Sequence, residues 1–322
     1  ERWLRAFSTD AVLRLLAVVA AGLGTNMLAY AHRFASHTAY AIVAFLAFAV
    51  LERELRRSQD DRQRARLRAA ALAGFLTSAC VTLEYQALFM TLVLAAFALW
   101  IFGRDGSWRA RALRVGAFAG GGLLNVPHMM WFHLRAYGDP FTPGHQQLEN
   151  ARFAAEHRTG LWGVSWPTLD ALGALAFDPG FGFFGTSPFM LLGLASVPLW
   201  LIAPSGPEPE RHRLRLLTLV WASCMAVVVG VNAGFVEWRA GWTVGPRYLV
   251  VCAPFFAFGA LLALERFAGA SPARRALARG AGAGLALASV VAIGTVGLLV
   301  DTLPDTIRRP FAQFFVPMVK VG

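Results

Sequence analysis

The chain has 322 residues, of which 57% are hydrophobic and 15% are charged, and its formal net charge is +11. A soluble domain of ordinary composition carries about 25% charged residues, so the composition argues against a soluble globular protein. The basic residues lie in short clusters between apolar segments, which indicates membrane topology and not a nucleic-acid-binding surface. We therefore expect an integral membrane protein, with membrane lipids and no nucleic acid among its partners.

The apolar segments are roughly 17 to 22 residues long, which is enough to cross a hydrocarbon core of ~30 Å as a helix. They lack the period-2 alternation of barrel strands, so they predict an all-α polytopic bundle that forms one transmembrane domain over residues 1–322. Nine membrane-spanning helices are predicted, at residues 11–30, 37–52, 69–84, 86–102, 113–134, 186–203, 214–234, 248–265 and 281–300. The third and fourth should form a hairpin that breaks near Glu84 and Tyr85, because one helix from 69 to 102 would be about 50 Å long.

The distribution of cations predicts the orientation of the bundle. One side holds 21 of the 30 basic residues and the other side holds 9, whereas the acidic residues divide 10 to 9. Cytoplasmic loops carry an excess of Lys and Arg, so the cation-rich side is predicted to be cytoplasmic. It consists of the N-terminal segment and the loops near residues 53–68, 103–114, 204–215 and 266–279. These loops are interpreted as plain topology anchors and lipid-headgroup contacts, and an odd number of spans places the C-terminal tail 301–322 outside.

The longest outer segment, residues 135–185, is rich in Gly, Pro and aromatic residues and includes Asp139, His145 and Trp162. Within it, residues 168–177 are expected to form an amphipathic helix in the membrane interface. Two roles remain open for the whole segment, which is either a belt of aromatic residues at the interface or one wall of a substrate cavity.

The second outer segment, residues 235–248, has a more specific pattern. Arg247 follows a Gly-Pro pair and precedes Tyr248 and an apolar segment, so its guanidinium should lie at headgroup depth and bind a phosphate through two hydrogen bonds. Trp238 and Trp242 offer flat apolar faces nearby. An Arg that snorkels beside interfacial Trp residues is the alternative, but the glycines and the proline favour a formed pocket.

Polar residues inside or at the ends of the predicted spans form a third group. His37 opens the second span, and Glu84 lies beside Tyr85 at the tip of the hairpin, where an acid can face a cavity. Pro127 should kink the fifth span. Each isolated His is more readily explained as a structural hydrogen-bonding residue than as a catalyst. Four glycines of the fifth span should pack closely against another helix, namely Gly116, Gly120, Gly121 and Gly122.

A Gly-Trp-x-x-Gly-Pro-Arg-Tyr element ends at Arg247 and Tyr248 and is the most specific motif of the chain. Weaker stretches fall on the same predicted side, namely Gly24-Thr25, Tyr30, Ser36-His37, Glu84-Tyr85, Tyr137-Gly138-Asp139-Pro140-Phe141, Gly182-Phe183-Phe184, Ser187-Pro188 and the tail from Leu303 to Pro317. Together these stretches resemble bacterial membrane glycosyltransferases of the GT-C superfamily, in the branch related to protein O-mannosyltransferases and aminoarabinose transferases. The resemblance covers essentially the whole chain.

The resemblance implies a transferase that uses a polyprenyl-phosphate-linked sugar as donor at the outer face of the bacterial cytoplasmic (inner) membrane. Arg247 and Tyr248 would bind the donor phosphate, and Arg247 would stabilise the charge that develops on the departing lipid phosphate. The substrate pocket would be lined by His37, Glu84, Tyr85, Asp139, Glu237, Trp238 and Trp242. The acids Glu84, Asp139 or Glu237 would hold sugar hydroxyls, or a divalent metal ion in those relatives that use one.

The chain departs from the family pattern at its start. The family's catalytic base is an Asp in the first outer loop, whereas this chain begins with Glu1 at about the third family span, so no catalytic residue is assigned. Two explanations stay open: the chain lacks the N-terminal part of an enzyme, or it is a non-catalytic membrane subunit that binds a membrane protein partner in a larger complex. A transporter of a lipid-linked sugar ranks last, because neither paired intramembrane charges nor inverted repeats are evident.

Cysteine labelling tests the predicted orientation. In cells that express Ser58→Cys or Thr159→Cys, an impermeant maleimide added from outside should label only the second variant, because the cation bias places residue 58 in the cytoplasm. The native Cys80, Cys224 and Cys252 lie within apolar segments, so the unsubstituted chain is the background control. Labelling of both variants from one side would contradict the model.

Overall fold

The computed structural model describes residues 1–33, 35–57, 63–142, 144, 147–161, 163–300, 302–304 and 306–321. Over these residues the chain is all-α and contains no β-strand, which confirms the predicted class. It divides into two compact units. Unit 1 comprises Glu1–Ala41, Thr168–Met225 and Arg239–Gly322, and unit 2 comprises Ile42–Pro167 and Ala226–Trp238. That the chain is a single transmembrane domain stays a prediction.

The helices follow one another along the chain with short connections. In order they are α1 (Ala11–Leu23), α2 (Met27–His32), α3 (Ser36–Arg56), α4 (Gln63–Leu83), α5 (Ala87–Arg104), α6 (Trp108–Leu123), α7 (Asn125–Tyr137), α8 (Ala151–His157), α9 (Leu169–Phe177), α10 (Phe183–Thr186), α11 (Met190–Leu201), α12 (Glu208–Gly234), α13 (Cys252–Ala268), α14 (Pro272–Ser289), α15 (Thr295–Leu299) and α16 (Val316–Val321). A π-helical turn at Val290–Gly294 joins α14 to α15, and a 3-10 turn at Arg247–Leu249 precedes α13.

Each of the nine predicted spans coincides with one helix or with two consecutive helices. Within the described part of the chain, four helices are long and apolar enough to cross a membrane by length and composition, namely α4, α5, α12 and the continuous helix Pro272–Leu299. The break between α4 and α5 confirms the predicted hairpin, and α9 confirms the helix expected over residues 168–177. The four helices support a membrane-embedded protein, while the full set of nine spans stays a prediction.

The predicted cytoplasmic loops are wrong in extent, because most of their basic residues lie within helices. Residues 63–68 open α4, residues 108–114 open α6, residues 208–215 open α12 and residues 272–279 lie at the start of α14. Arginine is a good helix former, so a basic cluster does not end a helix. Ser107 and Ser271 cap α6 and α14 by accepting hydrogen bonds from backbone amides of the first turn. The helices therefore start earlier than hydropathy alone indicates.

Nor are these basic segments plain anchors, since some of their cations are buried in ionic clusters. In unit 2, the guanidinium of Arg66 lies 3.9 Å from the carboxylates of both Glu54 and Asp105. Arg114 donates hydrogen bonds to the backbone carbonyl oxygens of Phe102 and Asp105. A buried charge is tolerated only when it is paired in this way, so these arginines have a structural role in addition to any effect on topology.

Asp10 joins the start of α1 to α14 in unit 1. Its carboxylate accepts hydrogen bonds from the backbone amides of Val12 and Leu13, and from the guanidinium of Arg279 at 2.9 Å. Burial alone would raise the pKa of this carboxyl, but the hydrogen bonds from Arg279, Leu13 and Val12 together lower the pKa below its usual value. The ionised carboxylate is therefore the form that holds the helices together.

The fifth predicted span is divided into two helices near Pro127, where a kink is predicted. Helix α6 ends at Leu123 and α7 begins at Asn125. Pro127 has no amide hydrogen to donate to the carbonyl of Leu123, four residues earlier, which explains why the helical hydrogen-bond ladder fails there.

Glycines allow the backbones of α4 and α6 to meet in unit 2. A side chain at Gly74 would overlap the carbonyl oxygen of Phe118, and a side chain at Gly121 would overlap the backbone of α4. Such close approach is common between helices in lipid. There no hydrophobic force drives one helix against another, and close packing through small residues takes its place. The predicted glycine face is confirmed at Gly121, but Gly116 and Gly120 have no atoms within 4 Å of an added Cβ.

Two neighbouring glycines of α6 provide a matched test of this packing. Gly121→Ala should lower the free energy of unfolding by roughly 1–3 kcal/mol, because the added methyl group has no space against α4. Gly120→Ala should raise it by roughly 0.5–1 kcal/mol, because alanine is the better helix former and the position is open. The measurement is denaturant unfolding of both variants in the same detergent. Similar effects of the two substitutions would contradict the packing described.

Candidate functional site

The second outer segment folds into a compact turn that leads into α13. Ala240, Gly241 and Gly245 have positive φ angles of 61°, 69° and 66°. Glycine adopts this conformation without steric cost, and at Gly245 an added Cβ would also lie only 3.3 Å from the Cβ of Asn26. Among the described residues, Ala240 is the one non-glycine residue with a positive φ, so the surrounding structure must hold this turn in place.

A buried hydrogen bond fixes the turn to the connection between α1 and α2. The side-chain amide of Asn26 donates to the carbonyl oxygen of Pro246 at 2.9 Å, and the two residues are 220 positions apart in the sequence. Asn26 is only 2% exposed. Arg247 follows Pro246 directly and begins the 3-10 turn before α13. Its backbone is therefore held on one side by the bond from Asn26 to Pro246 and on the other side by the 3-10 turn.

A row of aromatic rings brings two predicted site residues together in unit 1. The ring of His37 makes edge-to-face contacts with Tyr30 and Tyr248, with centroid distances of 5.8 Å and 5.5 Å. The guanidinium of Arg247 lies 5.0 Å from the centre of the Tyr248 ring, and its Nη2 donates to the Tyr248 hydroxyl at 3.2 Å. The row therefore holds the Arg247 side chain through its neighbour Tyr248.

Arg247 retains an unsatisfied donor within this arrangement. Its Nε is buried and has no hydrogen-bond partner among the described residues. A buried charged donor without a partner is costly, by about 1–3 kcal/mol or more. An anion that accepted from Nε and from a terminal nitrogen at once would satisfy the guanidinium in the geometry that carboxylates and phosphates prefer.

Residues 178–181 of the first outer segment and residues 239–243 of the second line one open pocket in unit 1. Its walls are the loop at residues 178–181, the turn at residues 239–243 and the tail at residues 303–310. The guanidinium of Arg239 lies 5.1 Å from the centre of the Phe181 ring. Arg308 enters the pocket from the tail, so two of the outer cations line the same space.

A second polar cluster lies in unit 2, at the tip of the hairpin between α4 and α5. The hydroxyl of Tyr85 lies 2.7 Å from Nε2 of His133, and Nδ1 of His133 lies 3.3 Å from the carbonyl oxygen of Pro140. A carbonyl can only accept, so Nδ1 of His133 is the donor to Pro140. Burial raises the pKa of Tyr85. Asp139 accepts a hydrogen bond from Thr142 at 2.5 Å in the same loop.

The predicted site residues are thus divided between the two units. Unit 1 contains His37, Trp242, Arg247 and Tyr248, and unit 2 contains Glu84, Tyr85, Asp139, Glu237 and Trp238. Within unit 1 the structure joins His37 to Tyr248 and Arg247, while the Trp242 side chain is 63% exposed. Within unit 2 it joins Tyr85, through His133, to the loop that carries Asp139. Glu237 and Trp238 are half-buried in the turn after α12.

Sequence reasoning does not single out Asn26 or Arg308, although each carries a detectable signal. Asn26 is an amide inside a predicted apolar span, where a polar residue requires a partner. Arg308 is a cation on the side where cations are few. His145 and Trp162, which the sequence places in the first outer segment, lie outside the described residues.

Within the described ranges, no group of three or more His, Cys, Asp and Glu side chains is arranged to hold a metal ion. The acids predicted to bind sugar hydroxyls or a metal are not clustered into such a set. A role of these acids in binding sugar hydroxyls stays a prediction.

Comparison with known proteins leaves the interpretation to the geometry of the site. No protein-family model matches the chain, and neither a search of curated proteins nor a search of solved structures finds a match.

Substitution of Asn26 tests whether its hydrogen bond positions the turn. Asn26→Ala should lower the melting temperature and reduce the free energy of unfolding by about 1–2 kcal/mol, because the buried carbonyl of Pro246 loses its donor. Asn26→Asp should cost at least as much at neutral pH, because a carboxylate would face that carbonyl. Thermal unfolding in detergent measures both. A melting temperature unchanged by either substitution would show that the turn does not depend on this contact.

Proposed function

We propose that the chain is a membrane glycosyltransferase, or most of one, that takes its sugar from a polyprenyl-phosphate-linked donor at the outer face of the bacterial inner membrane. The proposal includes a GT-C-like bundle of nine spans with an external C-terminus. It rests on one observation above all: the Gly-Trp-x-x-Gly-Pro-Arg-Tyr element contains Arg247, whose buried Nε has no partner among the described residues. The four apolar helices that are long enough to cross a membrane support the part of the proposal that places the chain in a membrane.

The chemistry of such a transfer explains why a fixed arginine is useful. When the sugar leaves the donor, negative charge develops on the lipid phosphate oxygen that carried it. A guanidinium that is already in position stabilises this charge without reorganisation during the reaction. The contact between Arg247 and Tyr248, together with the hydrogen bond from Asn26 to Pro246, supplies this preorganisation. His37 contributes through its contact with the Tyr248 ring.

Lipid binding by Arg247 variants tests this role. Arg247→Ala should weaken the binding of a polyprenyl phosphate to the purified full chain by roughly 2–5 kcal/mol, because the phosphate loses its buried counter-charge. Arg247→Lys should restore only part of the affinity, because an ammonium group cannot reproduce the planar pair of donors.

Arg274→Ala is the control, since Arg274 is an exposed cation in the first turn of α14, and its removal should change the affinity little. Equal affinity of the unsubstituted chain and Arg247→Ala would overturn the proposal. It would leave the non-catalytic membrane subunit as the better interpretation of the scaffold.

A further inference from the structure

We propose that Tyr30 and Asn26 complete the Arg247 site, so that it recognises a phosphodiester together with a hydroxyl group of the sugar that the phosphate carries. The Tyr30 hydroxyl donates to the phosphate, and the amide oxygen of Asn26 accepts from the sugar. The inference rests on the proposed function, because it assigns two further contacts to the same ligand. It is tested separately, since either contact can fail while Arg247 still binds the phosphate.

Asn26 and Tyr30 lie at the two ends of one helical turn beside the segment that carries Arg247. The backbone amide of Tyr30 donates to the carbonyl oxygen of Asn26 at 3.3 Å, so the two side chains are neighbours on one side of α2. The side-chain amide of Asn26 holds the carbonyl of Pro246, and the charge of Arg247 acts on the Tyr30 hydroxyl. Both side chains therefore adjoin the residue that is proposed to bind the phosphate.

The Tyr30 hydroxyl is a buried donor that the protein leaves unused. Tyr30 is 3% exposed. The backbone of Val244 and the side chain of Thr243 lie near its hydroxyl, but the hydroxyl completes no hydrogen bond with any described residue. The two charges that act most strongly on it, those of Arg247 and Arg33, are both positive. An anionic oxygen bound by the hydroxyl and by Arg247 would satisfy two buried donors at once.

The amide oxygen of Asn26 requires a ligand group of the opposite kind. It too is buried without a partner in the part of the chain that the structure describes, and an amide oxygen can only accept. An ionised phosphodiester has no hydrogen to donate, whereas the hydroxyl groups of a sugar next to it do. The two donors and one acceptor therefore match a phosphate with a neighbouring hydroxyl better than they match a phosphate alone.

The aromatic row forms the open side of this site. His37, Arg247 and Tyr248 are half-buried, whereas Asn26 and Tyr30 are buried, so a ligand meets the row first and the buried pair last. The hydrogen bond from Arg247 to the Tyr248 hydroxyl is long, at 3.2 Å. A charged phosphate oxygen is a stronger acceptor than a phenol, so the entering ligand takes over this donor.

The test compares two farnesyl phosphodiesters that carry the same charge. One is glucosyl farnesyl phosphate, in which sugar hydroxyls lie beside the phosphate, and the other is methyl farnesyl phosphate, which has no hydroxyl group. Binding to the purified full chain in an uncharged detergent is measured by native mass spectrometry. The unsubstituted chain should bind the glucosyl diester about 3- to 10-fold more tightly, because the amide oxygen of Asn26 gains a donor. Equal affinities would overturn the sugar contact.

Tyr30→Phe separates a ligand contact from a structural role. It should weaken the binding of both diesters by about 10-fold, because each loses a hydrogen bond to its charged phosphate. The melting temperature of the free chain should stay the same or rise, because the hydroxyl that is removed has no partner there. Unchanged affinity for both diesters, or a loss of affinity accompanied by a lower melting temperature, would overturn the role of Tyr30 as a phosphate donor.

Asn26→Ala is evaluated through the ratio of the two affinities. Loss of the bond to Pro246 loosens the turn and weakens the binding of both diesters alike, so this effect leaves the ratio unchanged. Loss of the sugar contact weakens only the glucosyl diester, so the preference for it should fall to about 1. A preference that survives the substitution would overturn the role of Asn26 in sugar binding.

Arg247→Ala distinguishes a failure of this inference from a failure of the proposed function. If Arg247→Ala weakens the binding of both diesters, while Tyr30→Phe leaves the affinities and Asn26→Ala leaves the preference unchanged, the proposed function stands and this inference fails. If Arg247→Ala weakens neither, both fail. The exposed Arg274 again supplies the control, and Arg274→Ala should alter neither the affinities nor their ratio.

Discussion

The packing of unit 1 depends on helix α13, which is buried around most of its circumference. A side chain at Gly193 of α11 would overlap the carbonyl oxygen of Phe256 on α13, so the two backbones are in contact. At one end, α13 follows directly from the turn that carries Arg247. Near its other end, Glu265 accepts a hydrogen bond from Ser8 at 2.7 Å. A helix held so closely along its length gives the site a rigid support, which a preorganised cation requires.

Hydropathy predicts where the helices are, because a membrane imposes length and composition directly on each segment. It does not predict where they begin. The first turns of α4, α6, α12 and α14 contain basic residues that hydropathy assigns to loops, and the pairing of Arg66 with Glu54 and Asp105 depends on contacts between segments that no local window contains. The same limit applies to glycines: Gly120 and Gly121 are adjacent and identical in sequence terms, yet only one meets another helix.

The candidate site was predictable to a similar degree. The neighbours Arg247 and Tyr248 form a local motif, and their contact with each other follows from that motif. The contact of Tyr248 with His37 and the bond from Asn26 to Pro246 join distant segments, so their pairing depends on tertiary packing. Asp139 and Glu84 are evident as isolated acids in the sequence, but the residue that organises their part of unit 2 is His133, which looks like an ordinary polar residue in a span until its two partners are known.

The cations of the predicted outer side support a functional explanation on physical grounds. Arginines on the predicted cytoplasmic side agree with the positive-inside rule, and some of them also hold ionic clusters together. That rule disfavours cations on the opposite side, where only 9 of 30 are found. Three of these nine are Arg239, Arg247 and Arg308, and all three lie in unit 1. Arg247 lies beside an aromatic row, and the other two line a partly polar pocket. Neither topology nor ion pairing with an adjacent acid explains this placement of Arg247, whose buried Nε has no partner in the described chain. The anionic ligand that we propose would supply that partner to Arg247.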